Sequence, residues 1–213
     1  MKVLIETHGC KLNLADSQHL ATEFAATGYE IAADGEGPDI YVLNSCTVTQ
    51  VADRKARQAV AAARRRFPGA LIVATGCYAE RAERSVAALA AVDLTVANRG
   101  KDGLVARVSG RLGRRAPTRA DAASVRAQPR LGRTRASVKI QEGCDQVCAF
   151  CIVPKVRGRE RSIPEDDIVG EVRLLAGAGC PEVVLTGTQL GSYGSDLGNA
   201  SLPRLVARVL AET

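Results

Sequence analysis

Over its first hundred residues the chain alternates short apolar runs with helix-forming stretches, and this alternation constrains the fold more than any other feature. A strand that leads into a helix and then into another strand pairs in parallel, with the helices crossing over the sheet. Residues 3–5, 40–43, 71–74 and 94–97 read as strands. Residues 16–27, 49–67 and 80–91 read as helices. Leu20 and Phe24, four apart, mark one buried helix face; Gly28 stops that helix, and Pro68-Gly69 stops the next. Residues 1–108 are therefore expected to form a doubly wound α/β domain with a parallel sheet.

Residues 109–133, SGRLGRRAPTRADAASVRAQPRLGR, have no apolar periodicity and many turn formers, the pattern of a linker or an exposed extension. Between residues 101 and 135 ten Lys/Arg stand against two Asp, a surplus of +8 in a chain of net charge +6, so the remainder carries −2. Such a segment attracts polyanions, nucleic acid above all, although arginine-rich composition alone also gives solvated charge runs. A strand signal returns at 137–140. A cysteine-rich loop, a helix over 164–178, a strand at 183–185, a Gly-rich loop at 187–198 and a helix from about residue 202 follow. Residues 134–213 thus read as two βα units. A closed (β/α) barrel needs far more chain, so the sequence reads as part of a longer protein whose second domain is the start of such a barrel.

The start, MKVLIETHGC, lacks an apolar signal region, and no run approaches the ~18 apolar residues of a membrane span. A cytoplasmic location without membrane partners is the expectation. Seven cysteines in that reducing compartment point to metal or redox chemistry rather than disulfides. Cys144, Cys148 and Cys151 form Cys-x3-Cys-x2-Cys on a loop leaving a strand. Thiolates select zinc, copper(I) or iron–sulfur clusters. Three close thiolates suit a [4Fe–4S] cluster with one iron left open for a cofactor; a zinc loop with a distant fourth ligand, or a redox pair at Cys148 and Cys151, stands as the alternative. Phe150 supplies an aromatic beside the site.

Cys10, Cys46 and Cys77 lie 36 and 31 residues apart, yet each follows a strand, in KVLIETHGC, DIYVLNSC and LIVATGC. In a parallel sheet all carboxyl ends share one edge, where ligands bind. Gly9 and Gly76 let the backbone approach there. Convergence of these three thiols gives a second cluster; three scattered core cysteines are the alternative. Cys180 has no partner at ligand spacing and reads as filler, and His8 as a turn or packing residue, with a ligand beside Cys10 as the alternative. Thr186, Gly187, Thr188 and Gln189 end the second strand of the second domain, on the edge that faces the cysteine loop, where a cofactor can sit; ordinary turn residues at a strand end are the alternative.

Taken together, these residues resemble a known family. Cys144-Asp-Gln-Val-Cys148-Ala-Phe-Cys151 is similar to the signature of radical S-adenosylmethionine (SAM) enzymes. HGCKLNLADSQ, LNSCTVT and TGCYAE look like the amino-terminal domain of the methylthiotransferases within that superfamily. The resemblance runs over essentially the whole chain. It implies two [4Fe–4S] clusters, an auxiliary one on Cys10, Cys46 and Cys77 and a radical-SAM one on Cys144, Cys148 and Cys151, with SAM on the open iron. It marks Asn13, Asp16, Ser17 and Arg157 as substrate contacts. Gln18, Lys155 and Ile163 depart from the family pattern, at a Glu, an aromatic and an Arg respectively, which blurs substrate contacts and leaves the cysteines untouched. LNSCTVT, VKIQEGC and VLTGTQLGSYGSD resemble the branch acting on N6-threonylcarbamoyladenosine beside the tRNA anticodon. Action on isopentenyladenosine or on a ribosomal protein is the alternative within the family, and a non-catalytic metal- or cluster-bearing RNA-binding module the alternative outside it. An electron donor and tRNA are the implied partners.

Overall fold

The computed structural model describes residues 1–33, 36–114, 135–146 and 148–213. The chain divides into two compact units, Met1–Leu131 and Gly132–Thr213. Most of the basic segment expected at 109–133 lies outside the described residues.

The first unit is built on five strands: β1 (Lys2–Thr7), β2 (Glu30–Ile31), β3 (Ile40–Ser45), β4 (Leu71–Gly76) and β5 (Leu94–Ala97). They lie in the order β2-β1-β3-β4-β5, every pair parallel. Both faces are covered, because successive strand side chains point to opposite sides. Val3, Ile5, Ile40, Val42 and Val73 meet Leu20 and Phe24 of α1 (Lys11–Ala26), together with Leu104, Val105 and Val108 of a helix at Leu104–Arg111. On the other face Tyr41, Leu43, Ile72 and Ala74 meet Ala56, Val60 and Ala63 of α2 (Gln50–Arg66). This is the doubly wound arrangement expected from the alternation.

Two boundaries differ from that expectation, each for a physical reason. α1 starts at Lys11, with Cys10 at its N-cap, rather than near residue 16. Its first turns bury Asn13, Asp16, Ser17 and Gln18 as well as Leu12 and Ala15, so polar residues occupy inward positions and hide the apolar stripe. Residues 80–91 do not form one helix. Two single-turn helices, α3 (Cys77–Arg81) and α4 (Glu83–Ala87), meet at Ala82, whose φ of −133° breaks the run. The helix at Leu104–Arg111, α5, carries regular structure past the boundary expected at 108.

In the second unit β6 (Arg135–Lys139) pairs in parallel with β9 (Glu182–Thr186). α7 (Glu165–Gly177) and α8 (Leu202–Glu212) pack on them through Ile168, Val169, Val172, Leu175 and Leu205. Two short strands not evident in the sequence, β7 (Gln141–Glu142) and β8 (Arg161–Ser162), pair antiparallel. They pinch residues 143–160, the cysteine loop, at its neck, and a short helix α6 (Val153–Arg157) lies within it. No helix among the described residues is long and apolar enough to cross a membrane.

Candidate functional site

The cysteine loop of the second unit surrounds a cavity of about 320 Å³ lined by Cys144, Cys148 and Cys151 with Asp145, Gln146, Lys155, Gly158 and Arg159. All three sulfur-bearing residues thus face one volume. Local backbone contacts hold them there: the Cys151 N–H donates to the Cys148 carbonyl at 3.1 Å and the Cys144 N–H to the Gly158 carbonyl at 3.2 Å. Gly143, at φ +75°, admits no side chain, since a Cβ there would lie 1.9 Å from the Arg159 carbonyl oxygen. Across the loop the Arg159 guanidinium donates to Asp145 at 3.2 and 3.3 Å and holds that carboxyl below its usual pKa range. Phe150, expected beside the site, is fully exposed and does not line the cavity.

A side chain that sequence reasoning missed joins the loop to the turn at 186–189. Gln141 is completely buried. Its Oε1 accepts from the backbone N–H groups of Thr188 at 2.9 Å and Gln189 at 3.0 Å, and its amide donates to the Gly143 carbonyl at 3.0 Å. Thr186 is buried at the end of β9, and its carbonyl accepts from the Ile140 N–H at 2.9 Å. The Thr188 hydroxyl is buried and has no hydrogen-bond partner among the described residues. Arg157, read as a substrate contact, instead sits in the loop wall with its side chain only 4% exposed, 3.4 Å from Glu142. Glu142 also meets Lys139 at 3.1 Å and Arg161 at 2.6 Å, so Arg157 belongs to a charge cluster at the neck.

In the first unit, Cys10, Cys46 and Cys77 follow β1, β3 and β4, three neighbours in the sheet, at its carboxyl edge. Asn13 stands among them. Its Oδ1 lies 3.7 Å from the Cys10 sulfur and 4.0 Å from the Cys77 sulfur. A Cβ on Gly9 (φ +127°) would come within 2.7 Å of the Cys46 Cβ and 3.1 Å of Asn13 Nδ2. Gly76 (φ +96°) is equally constrained, because its Cβ would lie 2.4 Å from the Ser45 carbonyl oxygen. Every cysteine is a thiol, and among the described residues no three His, Cys, Asp or Glu donors are gathered closely enough to close on one metal ion.

A buried polar network underlies this edge. The Asn44 amide donates to the Asn13 carbonyl at 2.8 Å and to the Ser17 hydroxyl at 2.9 Å, and Ser17 also bonds Thr7 at 2.8 Å. Lys101 Nζ reaches Asp16 at 2.9 Å and Asn44 at 3.3 Å, an ion pair with both side chains under a tenth exposed. Asn13, Asp16 and Ser17, read as substrate contacts, are thus inside the protein, where they hold the strand ends that carry the cysteines. The structural reason is that α1 begins at Cys10 and turns these residues toward the sheet. His8 bonds Glu6 at 2.6 Å, which keeps the Glu6 carboxyl below its usual range. Cys180, half-buried, donates to the Glu182 carbonyl at 3.3 Å, away from either cysteine triad in sequence.

Residues 2–97 match the family described as "Uncharacterized protein family UPF0004". A threonylcarbamoyladenosine tRNA methylthiotransferase from Aquifex aeolicus is 42% identical over 206 residues, covering 93% of this chain and 50% of the relative. The protein of the same description from Bacillus subtilis is 34% identical, over 97% of this chain and 48% of the relative. A tRNA-2-methylthio-N(6)-dimethylallyladenosine synthase from Anaeromyxobacter dehalogenans is 37% identical, over 98% and 47%. The chain spans about half the length of the curated relatives it matches. Among solved structures, the radical S-adenosylmethionine methyltransferase TsrM from Kitasatospora setae, with tryptophan substrate and a SAM analog bound, superposes with a TM-score of 0.64 at 15% identity, covering 99% of this chain and 51% of that one. The cobalamin-dependent S-adenosylmethionine radical enzyme OxsB gives a TM-score of 0.54 at 9% identity, covering 89% and 34%. At such identities these likenesses speak to the fold.

Proposed function

We propose that the chain belongs to the radical-SAM methylthiotransferase family and serves the addition of a methylthio group to C2 of N6-threonylcarbamoyladenosine next to the tRNA anticodon. The observation that carries the reading is the loop whose three cysteines share one cavity, tied at its base to the turn at 186–189. Soft thiolate donors around a cavity of that size suit an iron–sulfur cluster. In this reading Cys144, Cys148 and Cys151 hold a [4Fe–4S] cluster that binds SAM, and Cys10, Cys46 and Cys77 hold the auxiliary one. Asn13, wedged among the latter, and the glycines that let Cys46 and Cys77 approach are features of a built donor set. When bound, the groups supply a SAM-derived radical for C–H cleavage at C2 and a site from which sulfur is transferred, with electrons from an external donor.

The chain's own residues orient and enclose. The β7–β8 neck and the Asp145–Arg159 pair fix the loop around its cavity. Thr186, Gly187, Thr188 and Gln189 form the cofactor-side turn, with Phe150 on the exposed loop tip where substrate would cover it. Arg157 and the cations around Glu142 brace the loop from within. For the RNA, α2 presents Arg54, Lys55, Arg57, Arg65 and Arg66 to solvent, while its one acid, Asp53, is buried against Arg81. Such a surface suits phosphates, and an anticodon loop offers splayed bases that a protein can reach. A cytoplasmic setting fits both the RNA substrate and seven reduced thiols.

Anaerobic reconstitution with iron and sulfide tests the proposal. Two cubane clusters predict about eight irons per chain and reductive cleavage of SAM. A non-catalytic RNA-binding module would leave SAM intact, and that result would overturn the enzymatic reading. The branch is tested by mass spectrometry of digested tRNA. Methylthiolation of isopentenyladenosine in place of threonylcarbamoyladenosine would move the chain to the group of the dimethylallyladenosine synthases, which reach 37% identity against 42% for the favoured branch.

A further inference from the structure

Gln141 does more than fill space. It is one of the largest side chains with no exposed surface at all, and each of its polar atoms is used. Oε1 takes two consecutive backbone N–H groups, Thr188 and Gln189, 47 and 48 residues away, while Nε2 holds the Gly143 carbonyl one residue before Cys144. The turn has been shaped to let this happen. At Gly187 a Cβ would stand 3.0 Å from Gln141 Oε1 and 3.0 Å from Leu190 Cδ2, so a side chain there would crowd the bonded oxygen. Held by its N–H, Thr188 keeps its hydroxyl buried and without a hydrogen-bond partner among the described residues.

We infer that Gln141 is a positioning residue that sets the spacing between the cysteine loop and the turn at 186–189, so that this turn and the first cysteine of the loop are held in register for binding SAM. This rests on the radical-SAM reading for the identity of the ligand; the clip itself rests on the hydrogen bonds alone. One side chain is asked to hold two segments, so its loss releases both, whereas a variant that keeps only the acceptor releases only the cysteine loop.

The test pairs Gln141→Leu with Gln141→Glu. In the cofactor-free protein, amide exchange at Thr188 and Gln189 is expected to speed up about tenfold or more in Gln141→Leu, the loss of two backbone partners, and to stay slow in Gln141→Glu, whose carboxylate still accepts both. In the reconstituted protein, Gln141→Leu is expected to keep its iron while the KM for SAM rises about tenfold, a factor equal to the loss of about one good hydrogen bond. The SAM-induced change in the cluster's electron paramagnetic resonance spectrum should weaken in parallel. Gln141→Glu, which loses only the Gly143 bond, should raise that KM by a smaller factor; if Gln141→Leu does not fold, this rise carries the test. Unchanged exchange in a folded Gln141→Leu overturns the clip. Faster exchange with wild-type KM and spectrum, or a wild-type KM in Gln141→Glu, overturns its role in positioning. If the wild-type protein itself shows no response to SAM, the radical-SAM reading fails and the exchange data still judge the clip.

Discussion

The two cysteine triads reach their arrangements by opposite routes. In the second unit three thiols lie within eight residues, on one loop closed by two short strands, and face a cavity open enough that Cys148 and Cys151 are exposed. In the first unit three thiols come from three strands, with Cys77 buried and an asparagine between them. The loop triad depends on local turns. The sheet-edge triad depends on the whole domain, down to an ion pair between residues 16 and 101. Damage to the framework should therefore spread to one site and spare the other.

The largest expected effect separates the two chemically. In an enzyme spanning the full length of the relatives, Cys148→Ala should abolish reductive SAM cleavage, whereas Cys46→Ala should retain cleavage and lose methylthiolation. A Cys46 variant that still methylthiolates would show that the sheet-edge thiols do not act as a set. Next, Lys101→Met removes the cation paired with the buried Asp16 carboxylate and should cost about 3–5 kcal/mol, the usual price of breaking a buried pair. Chemical denaturation would read it, and iron analysis should show loss confined to the sheet-edge triad. Equal loss from the loop would erase the proposed difference between the units.

Smaller changes sharpen the same contrast. Gly9→Ala forces a side chain toward the Cys46 Cβ, 2.7 Å away, from a backbone at φ +127°, and should destabilise the first unit by about 1–3 kcal/mol. A melting curve unchanged from wild type would show that the edge yields more readily than its contacts imply. Glu23 on α1 gives a pH handle on this unit alone. Burial, with the Asp102 charge adding to it, pushes its carboxyl up to about 7, and one of its oxygens has no hydrogen-bond partner among the described residues. The folded state thus holds a proton that the unfolded chain releases near 4.5, so stability is full below that value and falls as pH rises through 7. Glu23→Gln should remove this fall and stabilise at pH 8 by about 1 kcal/mol after solvent screening, with little effect at pH 4. Identical pH profiles for the two proteins would rule the group out. Smallest of all, Cys180→Ser should leave iron content unchanged; a loss of about four irons, one cubane, would make it a ligand.

What was legible in the sequence follows from how far each signal travels. Strand positions and the cysteines after them could be read because apolar runs and residue identity are local. The placing of Asn13, Asp16 and Ser17 was not legible: resemblance marked them as substrate contacts, and only packing shows them turned toward the sheet beneath the cysteines. Gln141 escaped notice because a glutamine two residues after a strand is unremarkable in itself; its meaning lies in backbone groups 47 and 48 residues away. Two-residue strands such as Gln141–Glu142 and Arg161–Ser162 are too short to leave a period, yet they close the loop that carries Cys144, Cys148 and Cys151.

The spread of the sheet-edge thiols from residue 10 to residue 77 has a consequence in time. A site assembled from three parallel strands does not exist until the crossover helices between them have folded, and parallel pairings of that separation form late. With ribosomes adding about 5–20 residues per second, several seconds separate the emergence of Cys10 from that of Cys77. The sheet-edge thiols are translated first but gather only once the surrounding domain has formed, while the loop thiols emerge within eight residues of one another. The two triads are thus completed at different moments of synthesis, in an order set by the topology of the chain.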